Sequence, residues 1–226
     1  MVIKIFLVLL GAYMIGSVPI GWLIVKLFNG KDIRTLGSGR IGGTNVMRAA
    51  GFVAGLLTSI FDAGKGVLVG FLATLIIPES LWVKIIAVVL AVVGQIFSVF
   101  LIEKHSNGKI QLHGGAGGST TLGGAIALWP FSWVVILPLI ILVYIGIGYA
   151  SVTTISIAFF SLLLFGYRAA VGFDRWELVF YGISTLGIVL YALRPNLKRL
   201  KEGTERAVGL RAYFKKKLDQ SRSQNH

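Results

Sequence analysis

The chain has 226 residues, of which 55% are hydrophobic and 14% charged, and it carries a formal net charge of +13. A soluble domain holds roughly 25% charged residues, and several apolar runs here reach the ~20 residues that a membrane-crossing helix needs, so an ordinary soluble enzyme is excluded in favour of a polytopic membrane protein. The absence of cysteine excludes disulfides and thiolate metal sites, and His105, His113 and His226 have no metal-ligand spacing, so neither a metal nor a cofactor is expected.

In chain order, the apolar runs predict spans over about Val2 to Phe28, Phe52 to Ile77 and Leu81 to Ile102. A short piece follows, about Ser119 to Trp129, then Phe131 to Gly148, Ser151 to Phe165 and Leu178 to Leu193. The first run is read as a true span and not a removable signal, because it is long and flows into "GSVPIGW" without a cleavage site. The short piece is below the ~17 residues of the shortest spanning helices, so it reads as a re-entrant or a short, tilted span ending at Pro130. The expectation is an all-α bundle of about seven transmembrane helices. It divides into one membrane-embedded domain, 1–198, and a basic tail, 199–226.

Charge sets the orientation. Of the 22 Lys and Arg, Lys65 lies inside a span, and four (Lys4, Lys84, Arg168 and Arg175) fall on one side of the predicted bundle. The other 17 fall on the second side, which the positive-inside rule makes cytoplasmic, with the amino terminus outside. The excess of basic residues is therefore read as contact with anionic membrane lipid, and no nucleic-acid partner is expected. Over 194–226, Leu200, Val208, Leu210 and Phe214 stand among ten basic residues, a pattern for an amphipathic segment on lipid.

All the glycine-rich polar loops fall on that same face. The first, "GSGRIGGTNVMRAAG" at 37–51, sits between two strongly apolar runs. Glycine lets a ligand approach backbone N–H groups closely, and a helix starting near Thr44 or Asn45 would aim free N–H groups at an anion. Ser38 and Thr44 supply hydroxyls, and Arg48 and Arg40 supply guanidinium forks suited to phosphate. The spacing is not that of a Walker loop. The plainer alternative is a tight connection between packed helices.

The second loop, "EKHSNGKIQLHGGAGGSTTLGG" at 103–124, leads through Gly114, Gly115, Gly117 and Gly118 into Ser119, Thr120 and Thr121, which suit a helix N-cap. Lys104, Lys109 and His113 lie nearby. In "FDAGKG", Asp62 and Lys65 are three apart on one helix face and are expected to pair; charges at membrane depth are functional candidates. "RPNLKRLKEGTE" at 194–205 brings Asn196, Arg199 and Glu205 to the end of the last span. No Ser–His–acid triad and no pair of carboxylates is visible, so the chemistry has to rest on positioning and charge stabilisation.

Taken together and in this order, these blocks resemble the bacterial acyl-phosphate:glycerol-3-phosphate acyltransferases, the PlsY family. The resemblance runs from "YMIGSVPIGW" to "RPNLKRLKEGTE" and covers nearly the whole chain. It implies a seven-span enzyme of the bacterial plasma membrane with a cytoplasmic active face. The enzyme would move a fatty acyl group from acyl phosphate to the 1-hydroxyl of glycerol 3-phosphate, giving lysophosphatidic acid for phospholipid synthesis. By the same resemblance Ser38, Arg48 and Asn196 are the catalytic candidates. Thr44, Asn45, Gly114, Gly115, Gly117, Ser151 and Glu205 join Ser38 and Arg48 as substrate phosphate-binding candidates, together with Ser119 and Lys109 from the second loop. Four positions depart from the family pattern: Arg40 stands for an asparagine, Gln95 for a histidine, Ala116 for a lysine and Leu193 for a histidine. These departures leave a second reading, a catalytically impaired paralogue that binds a phosphorylated lipid or precursor. A small transporter ranks last, because only Asp62 and Lys65 would line its path. The oligomeric state is open, and a monomer suffices.

Overall fold

The computed structural model describes residues 1–104, 108, 110–213 and 217. Among these residues, ten α-helices are joined by short turns and one hairpin: α1 Val2–Ser17, α2 Ile20–Asn29, α3 Gly43–Ala50, α4 Phe52–Ile76, α5 Leu81–Ile96, α6 Gly118–Leu128, α7 Ser132–Gly146, α8 Ala150–Ala170, α9 Glu177–Ala192 and α10 Arg194–Lys201. Between α5 and α6, β1 (Ile102–Lys104) pairs antiparallel with β2 (Ile110–Leu112), Ile102 facing Leu112. With three residues in each strand, this hairpin leaves the all-helical class as expected.

Each helix end has a local cause. The first predicted span is two helices, because Val18 precedes Pro19 and takes an extended ψ of 118°; a residue before proline avoids the helical region. Helix α5 stops at Ile96, and the chain then turns into the hairpin through Ser98, whose Oγ donates to the carbonyl of Ser17 at 2.5 Å. Among the described residues four helical stretches are long and apolar enough to cross a membrane: 2–29, 52–76, 81–101 and 150–170. A fifth forms if α9 and α10, bent by 63°, count as one. The expected seven also included α6 and α7, which have only 11 and 15 residues; at 1.5 Å per residue both fall short of the ~30 Å hydrocarbon layer.

The helices pack chiefly as α4 on α6, α1 on α5 and α8 on α9. Where α4 crosses α6, Gly66 and Gly123 face each other's helix so closely that a Cβ on either would overlap backbone. Small residues permit that approach in a bundle whose outer surface faces lipid. The main core gathers Val69, Ile85, Val88, Ala125, Ile136, Phe165 and Tyr181, while Phe71, Leu142, Leu163 and Ile183 point outward.

One polar network is buried beside this core. Lys65 Nζ lies 2.8 Å from Asp62 Oδ1 and donates to the carbonyls of Gly16 and Val18 and to Gln95 Oε1. Gln95 Nε2 donates to Asp62 Oδ2 at 2.8 Å. The pairing expected from their spacing on the helix is present, and it ties α4 to α1 and α5.

The expected boundary at 198/199 falls inside α10, and the chain beyond it returns to the bundle. Ala207 pairs with Tyr149, and the N–H of Val208 donates to the carbonyl of Gly148 at 2.9 Å. Val208 is therefore buried under the helix ends and not laid on lipid; Leu210 is exposed. Phe214 lies outside the described residues.

Candidate active site

The first loop is shaped by its own polar side chains. Asp32 caps the 3-10 turn Ile33–Thr35, accepting from the N–H of Arg34 at 2.9 Å and pairing with its guanidinium at 2.7 Å. This pairing with Arg34 holds the Asp32 carboxyl down at about 2. Gly37 and Gly39, with φ of +58° and +71°, then reverse the chain. Asn45 clasps the loop from inside: its Oδ1 accepts from the N–H of Ser38, and its Nδ2 donates to the carbonyls of Leu36 and Arg40. The Asn45 side chain is thus committed to the loop's shape.

Helix α3 begins at Gly43, one residue before the expected start. Its first N–H groups have no partner within the helix, and Gly42, Gly43 and Thr44 line a cavity of about 610 Å³. Arg48, one turn after Thr44, lines the same cavity and donates from Nη2 to the carbonyl of Ala207 at 3.3 Å.

The second loop contributes differently from expectation. Gly114 and Gly115 are not on the cavity wall. Gly114 accepts from the N–H of Ile41, and the N–H of Gly115 donates to the carbonyl of Gln95 at 2.8 Å. A Cβ on Gly114 would overlap the backbone of Gln95 and Ile96, so this glycine is required for loop packing. The N-cap of α6 is Gly117 in the left-handed conformation, φ +82°, not a hydroxyl residue. The threonine hydroxyls are used within the fold, Thr120 Oγ1 donating to the carbonyl of Asp62 and Thr121 Oγ1 to that of Gly117. Gly117, Gly118 and Ser119 do line the cavity, so two helix starts, α3 and α6, open into one space. Lys109 lies outside the described residues. His113 Nε2 is 2.8 Å from Glu103 on the hairpin, away from the cavity wall.

The third segment supplies the opposite wall. α10 brings in Asn196 and Arg199, and the turn after it returns Glu205, whose N–H donates to the carbonyl of Arg199. Glu205 is buried and fully engaged. Its Oε1 accepts from Asn196 Nδ2 at 2.9 Å and Ser151 Oγ at 3.3 Å, and its Oε2 accepts from Arg199 Nε at 3.0 Å. A carboxylate so placed orients three groups; it does not itself present a donor to phosphate.

Arg40 joins the three segments. Its Nη1 donates to the carbonyl of Gly115 at 3.2 Å, and its Nη2 donates to the carbonyl of Ala192 at 2.5 Å and to Asn196 Oδ1 at 3.3 Å. Burial lowers its guanidinium pKa, Arg199 lowers it further and Glu205 raises it. Beside it, Ala116 and Leu193 belong to one apolar cluster with Val92, Ile96 and Val189. Two of the four departures thus fall in one apolar patch, and Arg40 bonds the carbonyls of Gly115 and Ala192, the residues just before them.

Ser38, Thr44, Asn45, Arg48, Gly117, Ser119, Ser151, Asn196 and Glu205 all border this one cavity, and Arg40, Asp62, Gln95, Arg199 and Arg206 border it too. Four guanidiniums therefore face a space whose acids are Glu205, already bonded, and Asp62, neutralised by Lys65. Away from this polar end the walls are apolar: Leu56, Ile60 and Ala63 of α4, Leu122 of α6, Leu137 and Ile140 of α7, and Ile157 of α8. Leu56 and Ile60 are about half exposed, so the slot opens toward the lipid-facing surface. The shape fits a phosphorylated head group with an attached acyl chain. Arg206 is not singled out from the sequence; a basic residue in a basic tail carries no local signal that it borders a cavity.

A family model described as glycerol-3-phosphate acyltransferase matches residues 6–203. A Glycerol-3-phosphate acyltransferase of Thermus thermophilus is 37% identical over 212 residues, covering 90% of this chain and 95% of that protein. Glycerol-3-phosphate acyltransferase 2 of Moorella thermoacetica is 34% identical over 211 residues, covering 91% and 98%. Among solved structures, the integral membrane glycerol 3-phosphate acyltransferase PlsY in its glycerol 3-phosphate form superposes with a TM-score of 0.74 at 29% identity, covering 91% of this chain and 96% of that one. Its lysophosphatidic acid form gives 0.76 at 26% identity, covering 93% and 98%. With nearly its whole length matched and its polar loops gathered round one cavity, the chain belongs to the glycerol-3-phosphate acyltransferase family.

Proposed function

We propose that the protein transfers a fatty acyl group from acyl phosphate to the 1-hydroxyl of glycerol 3-phosphate, releasing lysophosphatidic acid and inorganic phosphate. The observation that carries this reading is the single cavity with a guanidinium-rich end and an apolar slot running toward the lipid surface. The hydroxyl oxygen attacks the acyl carbonyl carbon, the new ester C–O bond forms and the acyl C–O bond to phosphate breaks. Inorganic phosphate leaves with the bonding electrons and takes up the hydroxyl proton. No protein nucleophile is required, because the donor is already activated. Alignment of two bound reactants is worth up to roughly 7–11 kcal/mol of barrier.

In this reading Ser38, Thr44, Arg48 and the first N–H groups of α3 and α6 hold the phosphates, and Asn196, oriented by Glu205 and Arg40, positions the acceptor hydroxyl. Gly117, Ser119 and Ser151 complete the wall. Asn45, Gly114 and Gly115 act on the shape of the loops, as their hydrogen bonds within the fold require. The charge asymmetry of the sequence supports an amino terminus outside and the cavity opening at the cytoplasmic surface, and the family resemblance supports a bacterial plasma-membrane protein with about seven membrane segments, α6 and α7 entering the layer without the length to cross it alone.

The decisive experiment supplies purified protein in lipid with acyl phosphate and glycerol 3-phosphate and scores phosphate and lysolipid, with acyl-CoA and acyl carrier protein as parallel donors. Binding of glycerol 3-phosphate without phosphate release would favour the impaired-paralogue reading. Full transfer by Arg48→Ala would remove the assigned site.

A further inference from the structure

Arg206 stands on a strap that is fixed on both sides. Before it, buried Glu205 is held by Asn196, Ser151 and Arg199. After it, Ala207 bridges to Tyr149 and accepts from Arg48, and Val208 bonds to Gly148. The guanidinium lines the cavity, and its Nη1 lies 3.4 Å from where a Cβ on Gly37 would stand, next to Ser38. Among the described residues it makes no hydrogen bond or ion pair. Instead it faces a second cation: burial first, and then the charge of Arg206, pull the Arg48 guanidinium below its ordinary value.

Both side chains are exposed at the cavity mouth, where solvent screens but does not abolish the repulsion of two neighbouring guanidiniums; an anion held between them removes it. Arg48 and Arg206 approach the first loop from two different elements, α3 and the strap, and among the described residues no carboxylate pairs with either. From this geometry we infer that Arg206 and Arg48 form a two-guanidinium clamp for one phosphate dianion, making Arg206 a further substrate-binding residue. The inference rests on the proposed acyl transfer for its substrates. Acyl phosphate and glycerol 3-phosphate both carry the required group, and kinetics on each separates them.

The test uses the full chain in lipid, as wild type, Arg206→Gln, Arg206→Lys and Lys201→Gln. Lys201→Gln removes the same charge from the exposed side of α10. KM is measured for each substrate, and binding of glycerol 3-phosphate and of inorganic phosphate is measured by calorimetry without donor. Arg206→Gln is expected to raise KM for one of the two substrates about ten- to hundredfold with kcat nearly unchanged. Arg206→Lys should recover part of the loss, since it keeps the charge but not the fork, and Lys201→Gln should leave both KM values as they are. Unchanged KM values in Arg206→Gln, or an equal rise in both that Lys201→Gln reproduces, would overturn the clamp. If wild type binds these ligands but shows no transfer, weakened phosphate binding in Arg206→Gln still upholds the clamp while the functional reading fails; unchanged binding overturns the clamp.

Discussion

Asn196 Nδ2 donates to Glu205 Oε1 at 2.9 Å, and through that bond a turn after α10 fixes a side chain at its start. The same oxygen takes the Ser151 hydroxyl from α8, so one carboxylate aligns two walls of the cavity. Replacing Glu205 by Ala strands the Asn196 and Ser151 donors in a buried site, at a cost of about 1–3 kcal/mol each. We expect Glu205→Ala to lower kcat at least about tenfold, the equivalent of ~1.4 kcal/mol. Glu205→Gln can still accept those two bonds, and should fall between. Steady-state kinetics on both variants checks this, and a wild-type kcat in Glu205→Ala would contradict it.

Arg40 joins loops more than 150 residues apart in sequence, reaching Ala192 and Asn196 from the first loop. Its bonds are charge-assisted, each contributing about 1.5–3 kcal/mol. Arg40→Gln should therefore lower the unfolding temperature and free the 31–42 loop. Faster proteolysis within that loop, together with reduced transfer, is the expected result; unchanged cleavage would show that the strut is dispensable.

Lys65 neutralises Asp62 inside the bundle and, with Gln95, ties three helices together. Lys65→Met removes only the cation and leaves a buried carboxylate without its partner, which costs about 3–5 kcal/mol. The double variant Asp62→Asn, Lys65→Met should recover much of that loss. Unfolding measured in mild detergent tests both, and a Lys65→Met protein as stable as wild type would refute the coupling.

Asp32 titrates at about 2, below its unfolded value near 3.8, because Arg34 binds the carboxylate. The folded pKa is depressed, so the added stability is present above about pH 4 and is lost as pH falls toward 2. The pair is about a quarter exposed, so solvent screening reduces its worth to about 1 kcal/mol. Asp32→Asn should be less stable than wild type at pH 6, and the gap should close by pH 2. A gap that is constant across that range would mean the ion pair is not its source.

The sequence by itself determined the membrane character, the first loop as a glycine-rich turn leading into a helix, and the Asp62–Lys65 pair. Each of these is written in neighbouring residues: an apolar run, a cluster of glycines and hydroxyls before a helix start, two charges three apart. It also carried the family resemblance, in the order of its polar blocks. What it did not determine were the partners across the bundle. The placement of Gly114 against Ile96, the reach of Arg40 to Ala192, the three donors on Glu205 and the position of Arg206 at the cavity depend on which helix ends meet. Only the tertiary structure decides that, because local periodicity fixes which face of a helix is buried, whereas the contact itself is set by close packing of elements far apart in the chain.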